Sequence, residues 1–204
     1  MRFLHALACS MVVLAAVIPR PLVSPSDAAS HLRLRDSDSE DDTDSSSAAV
    51  YELANAAARK AGRSLDSGTW YYFMNCVYAR EGYVPLHSGP ARVYREHGCQ
   101  HVGIVVGKTA RFGVKKFKAV YIHVRKTPDG DGGYSDGLFQ SSTNFINYGS
   151  RYHGIIWGGK TSGSKASVDR LVQAGIDWLQ SGRNNFNDVY NCVTHYEYLA
   201  SLLR

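Results

Sequence analysis

The chain has 204 residues, of which 44% are hydrophobic, and a formal net charge of +5 at pH 7. This apolar content is sufficient for one globular domain with a sizeable core. Beyond the N-terminal region no apolar run reaches the roughly 20 residues that cross a bilayer, which excludes a multi-span membrane protein.

Residues 1–29 have the features of a secretory signal peptide. Arg2 gives a positive start, residues 6–18 form a short apolar run, and Ala28 and Ala29 offer a cleavage site. We therefore expect a secreted, soluble protein. A buried N-terminal helix is the alternative.

Residues 30–47 predict a disordered linker, because serines and acidic residues leave little to bury. The acidic residues are Asp36, Asp38, Glu40, Asp41, Asp42 and Asp44. The preceding His31-Leu-Arg-Leu-Arg35 resembles the RxLR-type leader of secreted pathogen effectors, although Leu32 replaces an Arg. That resemblance implies delivery into a host cell, whereas a plain solvated linker is the alternative.

The remaining residues, 48–204, predict a single α+β domain whose first half begins with a helix. Residues 48–62 are alanine-rich with apolar residues on one face and Gly62 as a stop, which indicates a helix. Residues 69–83 are aromatic and suit either a helix or a strand. A loop is expected over 84–90, followed by a short strand over 91–95.

Two histidine-bearing strands come next. His101-Val-Gly-Ile-Val-Val-Gly107 is nearly all apolar and β-branched, and Ala119-Val-Tyr-Ile-His-Val124 alternates apolar and polar residues. As partners in one antiparallel sheet, these strands would place His101 and His123 close together.

Between these strands lies a basic insertion, residues 108–118, which contains no acidic residue. Its cations are Lys108, Arg111, Lys115, Lys116 and Lys118, and they alternate with apolar residues such as Phe112. Basic domains favour anionic partners such as phospholipid headgroups, nucleic acid or acidic polymers. The aromatic residues favour an anionic membrane surface over nucleic acid, and a solvated hairpin face is the alternative.

The last third of the chain predicts a turn, a strand and two helices. Residues 127–137 are glycine-rich and indicate a flexible turn, without the closing Glu of a calcium-binding EF-hand loop. Residues 152–157 predict a short strand, and helical spacing begins at Ser164. After a polar loop at 183–188, Asn191 is a suitable N-cap for a final helix.

Cysteine spacing points to one reactive thiol. Of the four cysteines, Cys9 lies in the signal peptide, so Cys76, Cys99 and Cys192 remain. An odd number in an oxidising compartment leaves a free thiol or an intermolecular bridge. We expect a Cys76–Cys99 disulfide and a free Cys192. No CxxC or HExxH motif is present, so we predict no metal site and no cofactor.

Cys192 would begin the final helix, where backbone N–H groups stabilise a thiolate and lower the thiol pKa toward ~4–7 beside a protonated histidine. A histidine must then act as the base and a third group must orient it. We predict His101 as the base and His123 as the orienting group. The backbone N–H of Cys192 and one further group would bind the oxyanion.

The order of His101-Val-Gly-Ile-Val-Val-Gly107, Val120-Tyr-Ile-His-Val124 and Tyr190-Asn-Cys-Val-Thr-His195 resembles lecithin:retinol acyltransferase-like proteins. These are circularly permuted papain-like thiol enzymes of the broader NlpC-type superfamily. The resemblance implies an antiparallel sheet flanked by helices, with Cys192 as nucleophile, His101 as base and His123 as orienting residue. It also implies a lipid or acylated substrate.

The chain departs from the family pattern at two places, and other functions stay open. The basic insertion separates the two histidines, and Val193-Thr194-His195 follows the cysteine where the family has Glu-His-Phe. PPPDE-type isopeptidases share the order of His and Asn-Cys. Asn75-Cys76 ahead of His101 is similar to NlpC-type endopeptidases with Cys76 as nucleophile. A non-enzymatic secreted effector on the same scaffold is the remaining alternative.

Overall fold

The computed structural model describes residues 45–128, 134–141, 153–181 and 190–204. The predicted signal peptide, the linker up to residue 44 and the polar loop at 183–188 lie outside these residues. Among the helices of the described residues, none combines the length and apolar character needed to cross a membrane.

Helices and strands alternate through the described residues. In chain order they are α1 (Ser45–Lys60), β1 (Trp70–Tyr78), α2 (Ser88–His97), β2 (Cys99–Thr109), β3 (Phe117–Pro128), β4 (Tyr134–Ser141), β5 (His153–Thr161), α3 (Val168–Gln180) and α4 (Cys192–Ser201). Because α1 begins at Ser45, the last three residues of the predicted linker are helical.

The strands form one antiparallel sheet in the order β4-β3-β2-β1-β5. Alternating side chains of the strands face opposite sides. On one side Phe73, Val105 and Phe117 pack against α1, and on the other Ile104 and Ile122 pack against α3 and α4. The predicted α+β class with helices on an antiparallel sheet is confirmed.

The strand predicted over residues 91–95 is wrong, because these residues lie within α2. Pro90 falls in the first turn of this helix, where its missing N–H has no helical partner to lose. The helix ends at Gly98, whose φ of 72° is the left-handed conformation that glycine adopts easily and whose N–H bonds to the Tyr94 carbonyl. Only Pro90 and Val93 are buried, so the helix carries little apolar periodicity.

Strands occupy both ends of the segment 127–137, over which a glycine-rich turn was predicted, and its residues 129–133 lie outside the described residues. Strand β3 continues to Pro128, and β4 begins at Tyr134 and pairs with it, from Pro128↔Tyr134 to Tyr121↔Ser141. Glycine and aspartate disfavour strands, and the pairing with β3 overrides that preference. The ambiguous aromatic stretch is the strand β1.

Strands β2 and β3 part at one end of the sheet, and this separation positions the histidines. Their pairing runs from Thr109↔Phe117 to Ile104↔Ile122 and stops there, although β2 starts at Cys99 and β3 continues to pair with β4. His101 and His123 lie just beyond the last pair. A Cβ on Gly103 would lie 2.6 Å from both His123 Cβ and Tyr121 Cε2, so only glycine fits there.

The Cys76–Cys99 disulfide predicted from the sequence is confirmed, with Cα atoms 5.3 Å apart. It joins the end of β1 to the start of β2 and packs in an apolar cluster with Val102 and Cys192. Cys192 is the free cysteine of the described residues. While the disulfide is formed, Cys76 has no thiol with which to act as a nucleophile.

We predict that replacing Cys76 and Cys99 together with alanine lowers the free energy of unfolding by roughly 3 kcal/mol, because the bond closes a loop with a sequence separation of 23. Urea unfolding with and without reductant measures this change. Reductant should destabilise the wild type to the level of the double variant and leave the variant unchanged. Equal midpoints for oxidised wild type and double variant would contradict the prediction.

Candidate active site

Asn191 fixes Cys192 as the first residue of α4. The Asn191 Oδ1 atom accepts hydrogen bonds from the backbone N–H groups of Val193 (3.0 Å) and Thr194 (3.3 Å). In return, the Asn191 N–H donates to Thr194 Oγ1 at 2.9 Å. This reciprocal capping box confirms the predicted N-cap and sets the Cys192 thiol among the helix N–H groups.

His101 and His123 form a direct hydrogen bond. His101 Nε2 and His123 Nδ1 are 2.8 Å apart, so one ring donates and the other accepts. The His123 ring also stacks on Tyr121, with ring centres 4.5 Å apart and planes at 9°. When Nε2 of His101 is the donor in this bond, Nδ1 of His101 carries no proton and can accept one from a thiol.

The Cys192 thiol lies beside the strand that carries His101. The backbone N–H of Val102, the residue after His101, donates a hydrogen bond to the thiol. The thiol is only 6% exposed, and among the described residues it makes no hydrogen bond to the His101 ring. The thiol therefore contacts the backbone of the strand that carries His101, one residue along the chain from that histidine.

Burial raises the pKa of the Cys192 thiol, opposite to the lowering that we expected from the sequence. The N–H groups of Val102, Cys192 and Val193 do act in the expected direction. They are outweighed because an apolar cluster surrounds the sulfur and a thiolate there would lose its hydration. The thiol is therefore neutral in the resting protein.

His101 is neutral as well. Burial lowers its pKa to about 4, and the nearby His153 acts in the same direction. Two neutral groups replace the thiolate–imidazolium pair that the helix terminus alone would favour. A thiolate formed during reaction would raise the pKa of His101, because an opposite charge close by stabilises the imidazolium.

His195 is a site residue that the sequence interpretation did not assign. It lies three residues after Cys192, on the same face of α4, and is 1% exposed. Neither of its ring nitrogens has a hydrogen-bond partner among the described residues. Its ring packs edge-on against Trp178, with centres 5.1 Å apart.

The charge state of His195 is coupled to that of His101. Burial and, as the smaller cause, the nearby His101 lower the pKa of His195 to about 4. A buried ring with two unpaired nitrogens costs stability. The helical spacing from Cys192 was the sequence signal for this residue, because it places both side chains on one face.

A further polar pair lies on the same side of the sheet as the histidines. Asn75, fully buried on β1, is in register with Gly103. Across this glycine, the Asn75 amide approaches the Tyr121 phenol. Burial raises the pKa of Tyr121, and the Asn75 amide opposes that rise. Tyr121 is also the residue on which the His123 ring stacks.

The basic insertion lies away from these residues. His101 is near the start of β2 and the insertion begins in its last two residues, so that Thr109 lies roughly 26 Å from His101 at strand rise. The described residues contain no group of three or more His, Cys, Asp or Glu arranged to bind a metal.

Comparisons of the chain with protein-family models, curated proteins and solved structures found no match. The chemistry of the site is therefore the basis for the function proposed below.

We predict that His195→Phe leaves the free energy of unfolding at pH 7 unchanged or higher, because it removes two unpaired buried nitrogens. The unfolded histidine binds a proton below its ordinary pKa of 6.5, whereas the folded one does so only near 4. The wild type therefore loses stability as the pH falls through this interval. Between pH ~7 and ~4.5 it should lose on the order of 2 kcal/mol more than the variant.

Urea unfolding at the two pH values measures this difference. His97→Phe is the matched control, because His97 is exposed on α2. The same loss of stability in wild type and His195→Phe would contradict the prediction.

Proposed function

We propose that the protein is a cysteine-dependent enzyme that transfers or hydrolyses acyl groups through a thioester at Cys192. The observation that carries this proposal is the free thiol at a capped helix N-terminus beside the strand of the His101–His123 pair. Nucleophile, base and orienting group are the three parts that thiol catalysis requires.

The chain order supports the resemblance to circularly permuted papain-like, lecithin:retinol acyltransferase-like enzymes. The sheet strands with His101 and His123 precede the helix that begins with Cys192. The Cys76–Cys99 disulfide supports the proposed secretion, because disulfides persist in oxidising compartments.

The proposed reaction begins with proton transfer from the Cys192 thiol to His101 Nδ1. The sulfur attacks the substrate carbonyl carbon and forms a C–S bond, and the carbonyl oxygen becomes an oxyanion. The backbone N–H groups of Cys192 and Val102 face the sulfur and are the candidate oxyanion donors. The Val193 N–H is already bound to Asn191.

Collapse of this intermediate expels the leaving group, which takes the proton from His101, and leaves a thioester on Cys192. Water, or an acceptor amine or alcohol, then gives a proton to His101 and attacks the thioester carbonyl. The proton returns to the departing sulfur. His123 holds Nε2 of His101 throughout, so that Nδ1 stays available for both transfers.

The loop at Tyr83 lies near the proposed nucleophile. The Tyr83 hydroxyl donates to the carbonyl of Gln100, the residue before His101, at 3.3 Å, and burial and, as a smaller cause, Cys192 raise the pKa of Tyr83. A lipid acyl group as the substrate is what the resemblance to lecithin:retinol acyltransferase-like enzymes implies.

The isopeptidase or protease alternative uses the same thiol and differs in the substrate. The endopeptidase alternative requires the Cys76 thiol, which the disulfide consumes. The non-enzymatic effector alternative requires that the folded protein form no covalent intermediate.

We predict that an activated fatty-acyl ester labels wild type once per chain and leaves Cys192→Ala unlabelled. The Cys76→Ala/Cys99→Ala double variant is the matched control and should keep its labelling if folded. Intact-protein mass and release of the acyl group by hydroxylamine measure the thioester.

Two results would overturn the proposed function. Labelling that survives Cys192→Ala and disappears in Cys76→Ala would assign the nucleophile to Cys76. Folded wild type that stays unlabelled by acyl esters, acylated peptides and ubiquitin-like conjugates would support the non-enzymatic effector.

We predict that alkylation of Cys192 by iodoacetamide without substrate is slow at neutral pH and accelerates through alkaline pH. The reason is that burial raises the thiol pKa, so the reactive thiolate forms only in alkaline solution. Mass spectrometry of the alkylated chain gives the rate. A fast, pH-independent rate across the acidic and neutral range would indicate a resting thiolate–imidazolium pair and contradict the prediction.

A further inference from the structure

We propose that the turn between β2 and β3 docks the protein on anionic phospholipid bilayers, with Phe112 inserting among the lipids. This turn, residues 110–116, is called the tip loop here. The proposal concerns a surface remote from Cys192 and stands independently of the proposed catalysis.

Phe112 is displayed at the end of the tip loop in an unusual backbone conformation. Its side chain is 96% exposed, and its φ of 59° makes it the one non-glycine residue of the described chain with positive φ. Bulky L-residues rarely adopt this conformation. Gly113, with φ of 75°, continues the turn, and Val114 is 46% exposed.

The backbone of the tip loop closes on itself and keeps Phe112 outward. The Ala110 N–H donates to the Lys116 carbonyl at 2.9 Å, and the Lys116 N–H donates to the Val114 carbonyl at 2.9 Å. Phe117, next to the loop, is fully buried in the core. One phenylalanine therefore anchors the loop while the other projects into solvent.

Positive charge surrounds this apolar tip. Residues 98–128 contain no Asp or Glu, and Arg111, Lys115 and Lys118 are exposed. Lys108 lies 5.7 Å from the centre of the Trp70 ring. Asp66, on the adjoining turn, forms an ion pair with Lys160 at 3.1 Å. Its negative charge therefore does not offset the positive charges of Arg111, Lys115 and Lys118.

This combination fits a bilayer surface better than nucleic acid. An exposed aromatic ring and a neighbouring valine enter the headgroup boundary, while the surrounding cations bind anionic lipids. Binding of single-stranded nucleic acid combines a basic groove with stacking platforms, whereas Phe112 stands alone on a projecting turn. Because His101 lies at the other end of β2, docking by the tip loop leaves the site end directed away from the bilayer.

Co-sedimentation of the full chain with phospholipid vesicles tests the proposal. Wild type should bind vesicles of phosphatidylcholine and phosphatidylserine and bind pure phosphatidylcholine weakly. We expect Phe112→Ser and the double variant Lys115→Glu/Lys118→Glu each to lower the partition coefficient by roughly tenfold. All variants share the same N-terminal region, so their differences report the tip loop.

Matched controls keep the test specific. Leu86→Ser removes an apolar side chain of similar exposure (87%) at the other end of β2. Arg95→Glu/Arg170→Glu makes the same change in net charge at other exposed positions. Both controls should bind anionic vesicles like the wild type, and folding of every variant is checked by circular dichroism.

Insertion has its own readout, because brominated lipids quench a tryptophan that enters the bilayer. Phe112→Trp should be quenched more strongly than Leu86→Trp. Three results would overturn the proposal: equal binding of both vesicle types by wild type, wild-type binding by folded Phe112→Ser, or loss of binding in the controls. Tight binding to single-stranded nucleic acid without vesicle binding would also overturn it. That result would indicate that the basic residues around the tip loop bind nucleic acid.

Discussion

The hydrogen bond between His101 Nε2 and His123 Nδ1 is the interaction on which the site depends. It exists because β2 and β3 stop pairing at Ile104↔Ile122 and leave the two rings just beyond the last pair. Position 103 must be glycine because a Cβ there would clash with the His123 Cβ atom and the Tyr121 ring. The bond occupies Nε2 of His101. In the proposed reaction Nδ1 of His101 is therefore the nitrogen that exchanges a proton with the thiol.

Burial then decides the charge state of the site. The N-terminus of α4 stabilises a thiolate, yet desolvation within the apolar cluster is the larger effect and keeps Cys192 protonated. The same desolvation keeps His101 and His195 neutral. A neutral site avoids buried charges at rest, so in the proposed reaction the thiol would be activated only when a substrate binds and displaces water.

Local signals in the sequence predicted those features that local physics determines. Asn191 was identified as the N-cap because capping needs only neighbouring N–H groups, and apolar runs located the histidine strands. The strand predicted at 91–95 was wrong because these residues are helical. With only Pro90 and Val93 buried, the segment shows no helical pattern of apolar residues. The thiol pKa and the pairing of β4 were missed because they depend on residues distant in the chain. His195 was missed because its burial against Trp178 is also a tertiary contact.

Cys192 and the histidines form a neutral candidate site, and the His101–His123 hydrogen bond orders it. Long-range ¹H–¹⁵N NMR of the histidine rings at pH 7, assigned with His101→Asn and His195→Phe variants, tests it most directly. We expect one protonated nitrogen in each of His101 and His195, with the His101 proton on the hydrogen-bonded Nε2. A His101 ring protonated on both nitrogens at pH 7 would contradict it, because that ring would be half of a resting thiolate–imidazolium pair.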